Sequence, residues 1–132
     1  MKKHGILNRH LAGALAQLGH TDHVVVCDVG LPIPPGPFVV DLAFRAGVPS
    51  FAEVLEGLLE ELEVEGAVAA EEVRGRNPEV TALLDARFPG DQLSLVSHEE
   101  FKRDWVSGAR LVVRTGEARP YANVALRCGV PF

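Results

Sequence analysis

The amino-acid sequence predicts an α/β fold in which helices cover both faces of a mixed sheet of about six strands. Strand-like apolar runs alternate with segments of helical spacing along the whole chain. Hydrophobic residues make up 47% of the 132 residues, which is enough for a single core. No linker, internal repeat or low-complexity segment interrupts the sequence, so residues 1–132 are predicted to form one domain.

The first part of the chain predicts one helix and two strands. Asn8 is a good N-cap, and leucines recur at helical spacing after it until Gly19, which is expected to end the helix. The apolar run 24–27 predicts a strand that is buried on both faces. Four prolines between residues 30 and 37 exclude regular structure there, and residues 38–42 predict a second strand.

The middle of the chain predicts two helices separated by a strand. Ser50 and Glu53 have the spacing of a capping box, and apolar residues follow at helical spacing to position 62. Residues 64–70 are interpreted as a strand. Asn77 followed by Pro78 is typical of a helix start, because proline is tolerated at the first helical position.

The last third of the chain predicts three strands and a helix. Residues 92–96 alternate like a strand, and Ser97 with Glu100 forms a further capping box. Residues 111–114 and 122–126 are expected to be the final strands, joined by a turn at residues 115–117. Ligands of α/β sheets commonly bind at strand ends, where loops such as the proline-rich one gather.

Composition excludes several classes of protein. The net charge is −5 with no basic cluster, which argues against a nucleic-acid partner. No apolar run approaches the length of about 18 residues that a membrane span needs, and the N-terminus lacks the pattern of a secretory signal. Neither Cys27 nor Cys128 belongs to a C-x-x-C pair, so we expect reduced core thiols in a cytoplasmic protein.

His20 and Asp28 are the first pair of residues that suggests chemistry. They flank one short predicted strand, with His20 after a helix and Asp28 before the proline-rich loop. The helix dipole and a nearby carboxylate would both favour a cationic imidazole, which suits a proton donor. The alternatives stay open: His20 as a polar turn residue, and Asp28 as the start of an Asx-turn.

A second group of polar residues lies in the last third of the chain. His98 is predicted in the first turn of a helix, where the dipole favours a neutral imidazole able to accept a proton. Tyr121 and Asn123 flank Ala122, and in a strand they would point to the same face and offer a phenol and an amide to sugar hydroxyls. The alternatives are a surface histidine and ordinary residues of a strand edge.

Other chemistries find little support in the sequence. His23 could join His20, Asp28 and His98 at a metal, but no recognised ligand spacing supports this, and no metal is expected. Glu71 and Glu72 would point in opposite directions if they lay in a strand. Motifs for a serine nucleophile, a phosphate-binding loop and a dinucleotide fold are absent from the sequence.

Taken together, the motifs resemble those of the RbsD/FucU family of sugar-ring isomerases. The similarity covers essentially the whole chain. Its most specific stretches are Leu-Gly-His at residues 18–20, Cys-Asp-Val-Gly-Leu-Pro-Ile-Pro at 27–34 and Tyr-Ala-Asn at 121–123. Further matching stretches lie at residues 5–8, 47–51, 71–73, 77–78, 98–102, 114–117 and 129–132.

The resemblance implies a cofactor-independent isomerase that interconverts the β-pyranose and β-furanose forms of D-ribose. It implies His20 as proton donor and sugar binding by Asp28, His98 and the segment from Tyr121 through Ala122 to Asn123. Either Asp28 or His98 would accept the second proton. The resemblance also implies a homo-oligomer, a decamer of two pentamers, with sites near subunit contacts. A fucose-type mutarotase and a non-catalytic sugar-binding protein remain as alternatives.

Overall fold

A computed structural model describes residues 1–132 and contains one six-stranded sheet with helices on both of its faces. The strands are β1 (His23–Cys27), β2 (Phe38–Asp41), β3 (Val64–Ala70), β4 (Leu93–Val96), β5 (Leu111–Arg114) and β6 (Val124–Cys128). The helices are α1 (Arg9–Leu15), α2 (Phe51–Leu59), α3 (Val73–Arg76), α4 (Pro78–Arg87) and α5 (His98–Glu100). A 3₁₀ turn (Gly90–Gln92) precedes β4, and α5 continues as a π-helical segment (Phe101–Val106).

The strand order explains where loops collect. The order across the sheet is β2-β5-β1-β6-β3-β4, with β6 antiparallel to its neighbours β1 and β3 and the other pairs parallel. Val124, the first residue of β6, therefore pairs with Val26 near the end of β1 and with Ala69 near the end of β3. One end of the sheet therefore collects four segments: those that leave β1, β3 and β4 and the one that enters β6.

Two apolar clusters hold the layers together, one on each face of the sheet. On one face, α1, α2 and α4 pack Leu11, Phe51 and Leu84 against the sheet. On the other face, the π-helical segment packs Phe101 and Val106. Strand β1 contributes side chains alternately to both clusters and is fully buried from residue 24 to 27, as a central strand requires. The predicted α/β/α layers are confirmed.

The four predicted helix starts at residues 8, 50, 77 and 97 are also confirmed. In each, the side chain of the capping residue accepts a hydrogen bond from a backbone N–H two or three residues later, which satisfies a donor that the helix leaves free. These residues are Asn8, Ser50, Asn77 and Ser97. Both cysteines are free and buried, and burial raises the pKa of the Cys27 thiol to about 12.

The structure corrects several details of the sequence prediction. The last strand begins at Val124 and not at position 122, and the turn at 115–117 makes no hairpin because β1 lies between β5 and β6. The first helix ends at Leu15, short of Gly19. Helix α3 was not predicted, because its four residues carry no helical apolar pattern. No helix combines the length and apolar character that crossing a bilayer requires.

Candidate functional site

A cavity of about 300 Å³ opens at the end of the sheet where the segments after β1, β3 and β4 meet the segment before β6. The segment after β1 supplies Asp28, the start of α5 supplies His98, and the segment before β6 supplies Tyr121 and Asn123. Its other lining residues are Gly30, Leu31, Pro32, Arg76 and Pro120. Four of the six predicted site residues are thus brought together by strand order, from positions up to 95 residues apart.

Asp28 and Asn123 hold each other by two hydrogen bonds. The backbone N–H of Asp28 donates to Oδ1 of Asn123 at 2.9 Å, and Nδ2 of Asn123 donates to Oδ2 of Asp28 at 3.2 Å. The other carboxylate oxygen accepts from the backbone N–H of Gly30 at 2.9 Å, which is the Asx-turn foreseen as an alternative. Burial raises the pKa of the Asp28 carboxyl, although these hydrogen bonds and the nearby His98 partly oppose the rise.

His98 is fixed at the start of α5 by a carboxylate from another segment. Its backbone N–H donates to both oxygens of Glu72, at 2.9 and 3.2 Å. Its ring meets the Tyr121 ring edge-on, with centroids 5.1 Å apart and planes at 90°. The Nδ1 atom is buried and has no hydrogen-bond partner within the chain.

Tyr121 and Asn123 lie in a turn, so the prediction that they share a strand face was wrong. Tyr121 has φ 57°, a left-handed conformation that a strand does not contain. The carbonyl of Pro120 accepts from Nδ2 of the buried Asn77 at 2.9 Å, which anchors this turn to the start of α4. The turn still directs both side chains to the cavity, whereas Ala122 packs in the core and does not line it.

His20 lies at the opposite end of the sheet, before β1, so within one chain Asp28 does not orient it. The five residues of β1 separate the two, a span of about 16 Å at the usual rise of a strand. Nε2 of His20 lies 3.2 Å from Oε2 of Glu65, whose Oε1 is 2.8 Å from Nε of Arg127. The His20 side chain is 53% exposed and borders a different cavity. The carboxylate partner of His20 is therefore Glu65 and not, as the sequence had suggested, Asp28.

Sequence reasoning missed Glu72 and Arg76. Strand β3 ends at Ala70, as predicted, so Glu71 and Glu72 follow the strand, and Glu72 turns towards α5. The adjacent pair of carboxylates was a visible signal that was set aside. Arg76 ends the unpredicted helix α3 and lines the cavity. Nothing in its spacing distinguishes it from other surface arginines.

The three histidines and one aspartate considered as metal ligands do not lie together; they are His20, His23, His98 and Asp28. His23 begins β1, and its Nε2 lies 2.9 Å from the backbone carbonyl of Trp105. Asp28 and His98 lie beyond the other end of the strand. The cavity instead combines a carboxylate, an imidazole with a free nitrogen, a phenol and an amide. Such a set can bind several hydroxyl groups and exchange protons with them.

Comparisons with known proteins agree with this picture. A model of the RbsD/FucU transport protein family matches residues 1–131. The D-ribose pyranase of Streptomyces avermitilis is 73% identical to the chain, and D-ribose pyranase 2 of Streptomyces griseus is 70% identical, each over 100% of both sequences. The structure of Bacillus subtilis RbsD complexed with D-ribose matches with a TM-score of 0.94 at 47% identity, over 100% of both chains. The chain belongs to the RbsD/FucU family, as its sequence motifs predicted.

Proposed function

We propose that the chain is a D-ribose pyranase, which interconverts the β-pyranose and β-furanose forms of D-ribose without a cofactor. The observation that carries this proposal is the meeting of Asp28 and His98 at one cavity, with Nδ1 of His98 unpartnered. Full-length relatives named D-ribose pyranase support it at 70% and 73% identity, as does the relative solved with D-ribose. The two free, buried thiols support a cytoplasmic location.

The proposed reaction needs two proton transfers and no redox step. A base takes the proton from the anomeric hydroxyl of the pyranose, and an acid protonates the ring oxygen as its bond to the anomeric carbon breaks. The open aldehyde then closes through its 4-hydroxyl, whose proton returns to the enzyme, while the carbonyl oxygen is protonated. Each well-placed acid or base contributes roughly 10²–10⁴-fold to such a step.

The cavity offers two bases and a set of groups that position the sugar. Asp28 or neutral His98 accepts the proton from the anomeric hydroxyl. Asn123 and Tyr121 hold the other hydroxyls and fix the orientation of the ring, which lowers the entropic part of the barrier. Asn123 is already ordered by Asp28, so little rearrangement is needed when sugar binds.

His20 is the proposed acid, and it reaches the site from a neighbouring subunit. Within one chain β1 separates it from the cavity, so a catalytic role requires an assembly such as the proposed decamer. Exposed apolar side chains support subunit contacts, since Leu7, Phe44 and Phe132 are 67%, 76% and 99% exposed. The Glu65 carboxylate would orient the His20 ring for this task.

Saturation-transfer NMR tests the function directly. With D-ribose, the unchanged chain should transfer magnetisation between pyranose and furanose signals, and His20→Ala should return the rate to the background value without unfolding. His10→Ala is the matched control, because His10 lies on the surface of α1. Binding of ribose without faster exchange would indicate a non-catalytic sugar-binding protein. Faster exchange of fucose alone would indicate a fucose-type mutarotase.

A further inference from the structure

Arg76 is the single lysine or arginine among the residues that line the cavity. It forms none of the nine ion pairs of the chain. Its neighbour Arg74, two residues earlier in the same helix, is bonded to Asp85 at 2.5 Å. The guanidinium of Arg76 therefore keeps its hydrogen-bond donors free beside a site rich in acceptors.

The guanidinium of Arg76 lies beside Tyr121, and the backbone of Arg76 is tied to the same turn. Its Cζ lies over the Tyr121 ring, 5.9 Å from the centroid, at a distance where a cation is attracted to the π-face. The next residue, Asn77, is buried and bonded to the carbonyl of Pro120, so the backbone of Arg76 is tied to the Tyr121 turn. The same tyrosine ring contacts His98, which links Arg76 to the proposed proton-transfer groups.

We propose that Arg76 is a substrate-positioning residue that donates hydrogen bonds to hydroxyl oxygens of the sugar at the cavity mouth. A guanidinium presents five donors in a planar fork, which suits two neighbouring hydroxyl oxygens of a pentose. It complements Asp28, which accepts hydrogen bonds deeper in the same cavity. The inference rests on the proposed function, because it takes a sugar as the ligand.

The test compares three substitutions at Arg76 with one at Arg74. Arg76→Ala and Arg76→Met should each weaken D-ribose affinity roughly tenfold in a calorimetric titration, the value of one hydrogen bond to a charged group. Exchange at saturating ribose should change far less, because Arg76 transfers no proton. Arg76→Lys should recover part of the affinity, and Arg74→Ala should behave as the unchanged chain.

The methionine variant separates hydrogen bonding from packing. Its side chain can still cover the Tyr121 ring, so retained affinity in Arg76→Met would overturn the proposal and leave a packing role only. Equal affinity of all variants would also overturn it, while leaving the proposed function intact. Failure of the unchanged chain to bind ribose or speed its exchange would instead reject the proposed function, and the role of Arg76 with it.

Discussion

Asp28 and Asn123 form a reciprocal pair, in which each residue donates one hydrogen bond to the other. Asn123 is 1% exposed, and its amide is the link between the end of β1 and the entry to β6. The pair leaves Oδ1 of Asp28 on the Gly30 turn and orders the carboxylate before any sugar binds. A residue that the sequence suggested as a sugar binder therefore also has a structural role.

Asn123→Ala should lower both stability and sugar affinity. Removing the amide leaves the partly buried Asp28 N–H unpaired and takes a donor from its carboxylate, at a cost of about 1–3 kcal/mol. Chemical denaturation at fixed protein concentration measures the first effect and calorimetry with D-ribose the second. Asn8→Ala is the control, because it removes a helix cap at a cost of about 1 kcal/mol far from the cavity. Unchanged ribose affinity in Asn123→Ala alone would contradict its binding role.

His98→Gln should reduce exchange by roughly two orders of magnitude while the fold persists. The Glu72 carboxylate binds the backbone N–H of residue 98, so the substitution leaves that contact in place. Glutamine keeps an amide in the cavity but cannot take up and release a proton near neutral pH. Exchange at saturating ribose and the midpoint of thermal unfolding are the measurements. Exchange equal to that of the unchanged chain would leave Asp28 as the base.

Much of the fold follows from local sequence patterns. Strand β3 was predicted at its observed bounds, and the four predicted helix starts lie where expected, because these features depend on near neighbours in the chain. The entry to β6 was misplaced by two residues. Tyr121 takes a left-handed turn there, held by Asn77 from a distant segment, and no local pattern announces that contact.

The site was predicted in composition but not in arrangement. Asp28, His98, Tyr121 and Asn123 do meet at one cavity. The pairing of His20 with Asp28 failed because residues at the two ends of a strand are held apart by its length, however near they are in sequence. Glu65 is the carboxylate beside His20. The two residues are 45 positions apart in the chain, so no local pattern indicates their contact.

A mixture of two inactive variants tests whether His20 acts across a subunit contact. His20→Ala and Asp28→Asn should each lack exchange activity when alone. If the rings form from both after joint refolding, about one quarter of the sites combine an intact His20 with an intact Asp28 from the neighbour. Exchange should then return to a corresponding fraction of the normal rate, with assembly followed by size-exclusion chromatography. Mixed rings that stay inactive would contradict the shared site.

Glu117 should make the free energy of unfolding depend on pH in the acidic range. Glu117 is 3% exposed, and its carboxylate accepts from the backbone N–H of Phe51 and is bonded to Arg119, which also contacts Glu79. The bonds from Arg119 lower the pKa of Glu117 to about 2 from the ordinary 4.5. Because the unfolded chain binds this proton more readily, the stabilisation is complete above pH 4.5 and is lost as the pH falls towards 2.

The size of this effect follows from the shift in pKa. Lowering the pKa of Glu117 from 4.5 to about 2 corresponds to at most about 3.4 kcal/mol of unfolding free energy. Urea unfolding between pH 7 and 3 should show that Glu117→Gln loses less stability on acidification than the unchanged chain. Asp28 has a raised pKa and acts in the opposite direction, but it is present in both proteins and cancels in their difference. Glu79→Gln is the control, because it removes the exposed partner of the same arginine and should keep the normal pH dependence of stability. If the stability of Glu117→Gln and of the unchanged chain fell equally on acidification, Glu117 would be excluded as the source of that dependence.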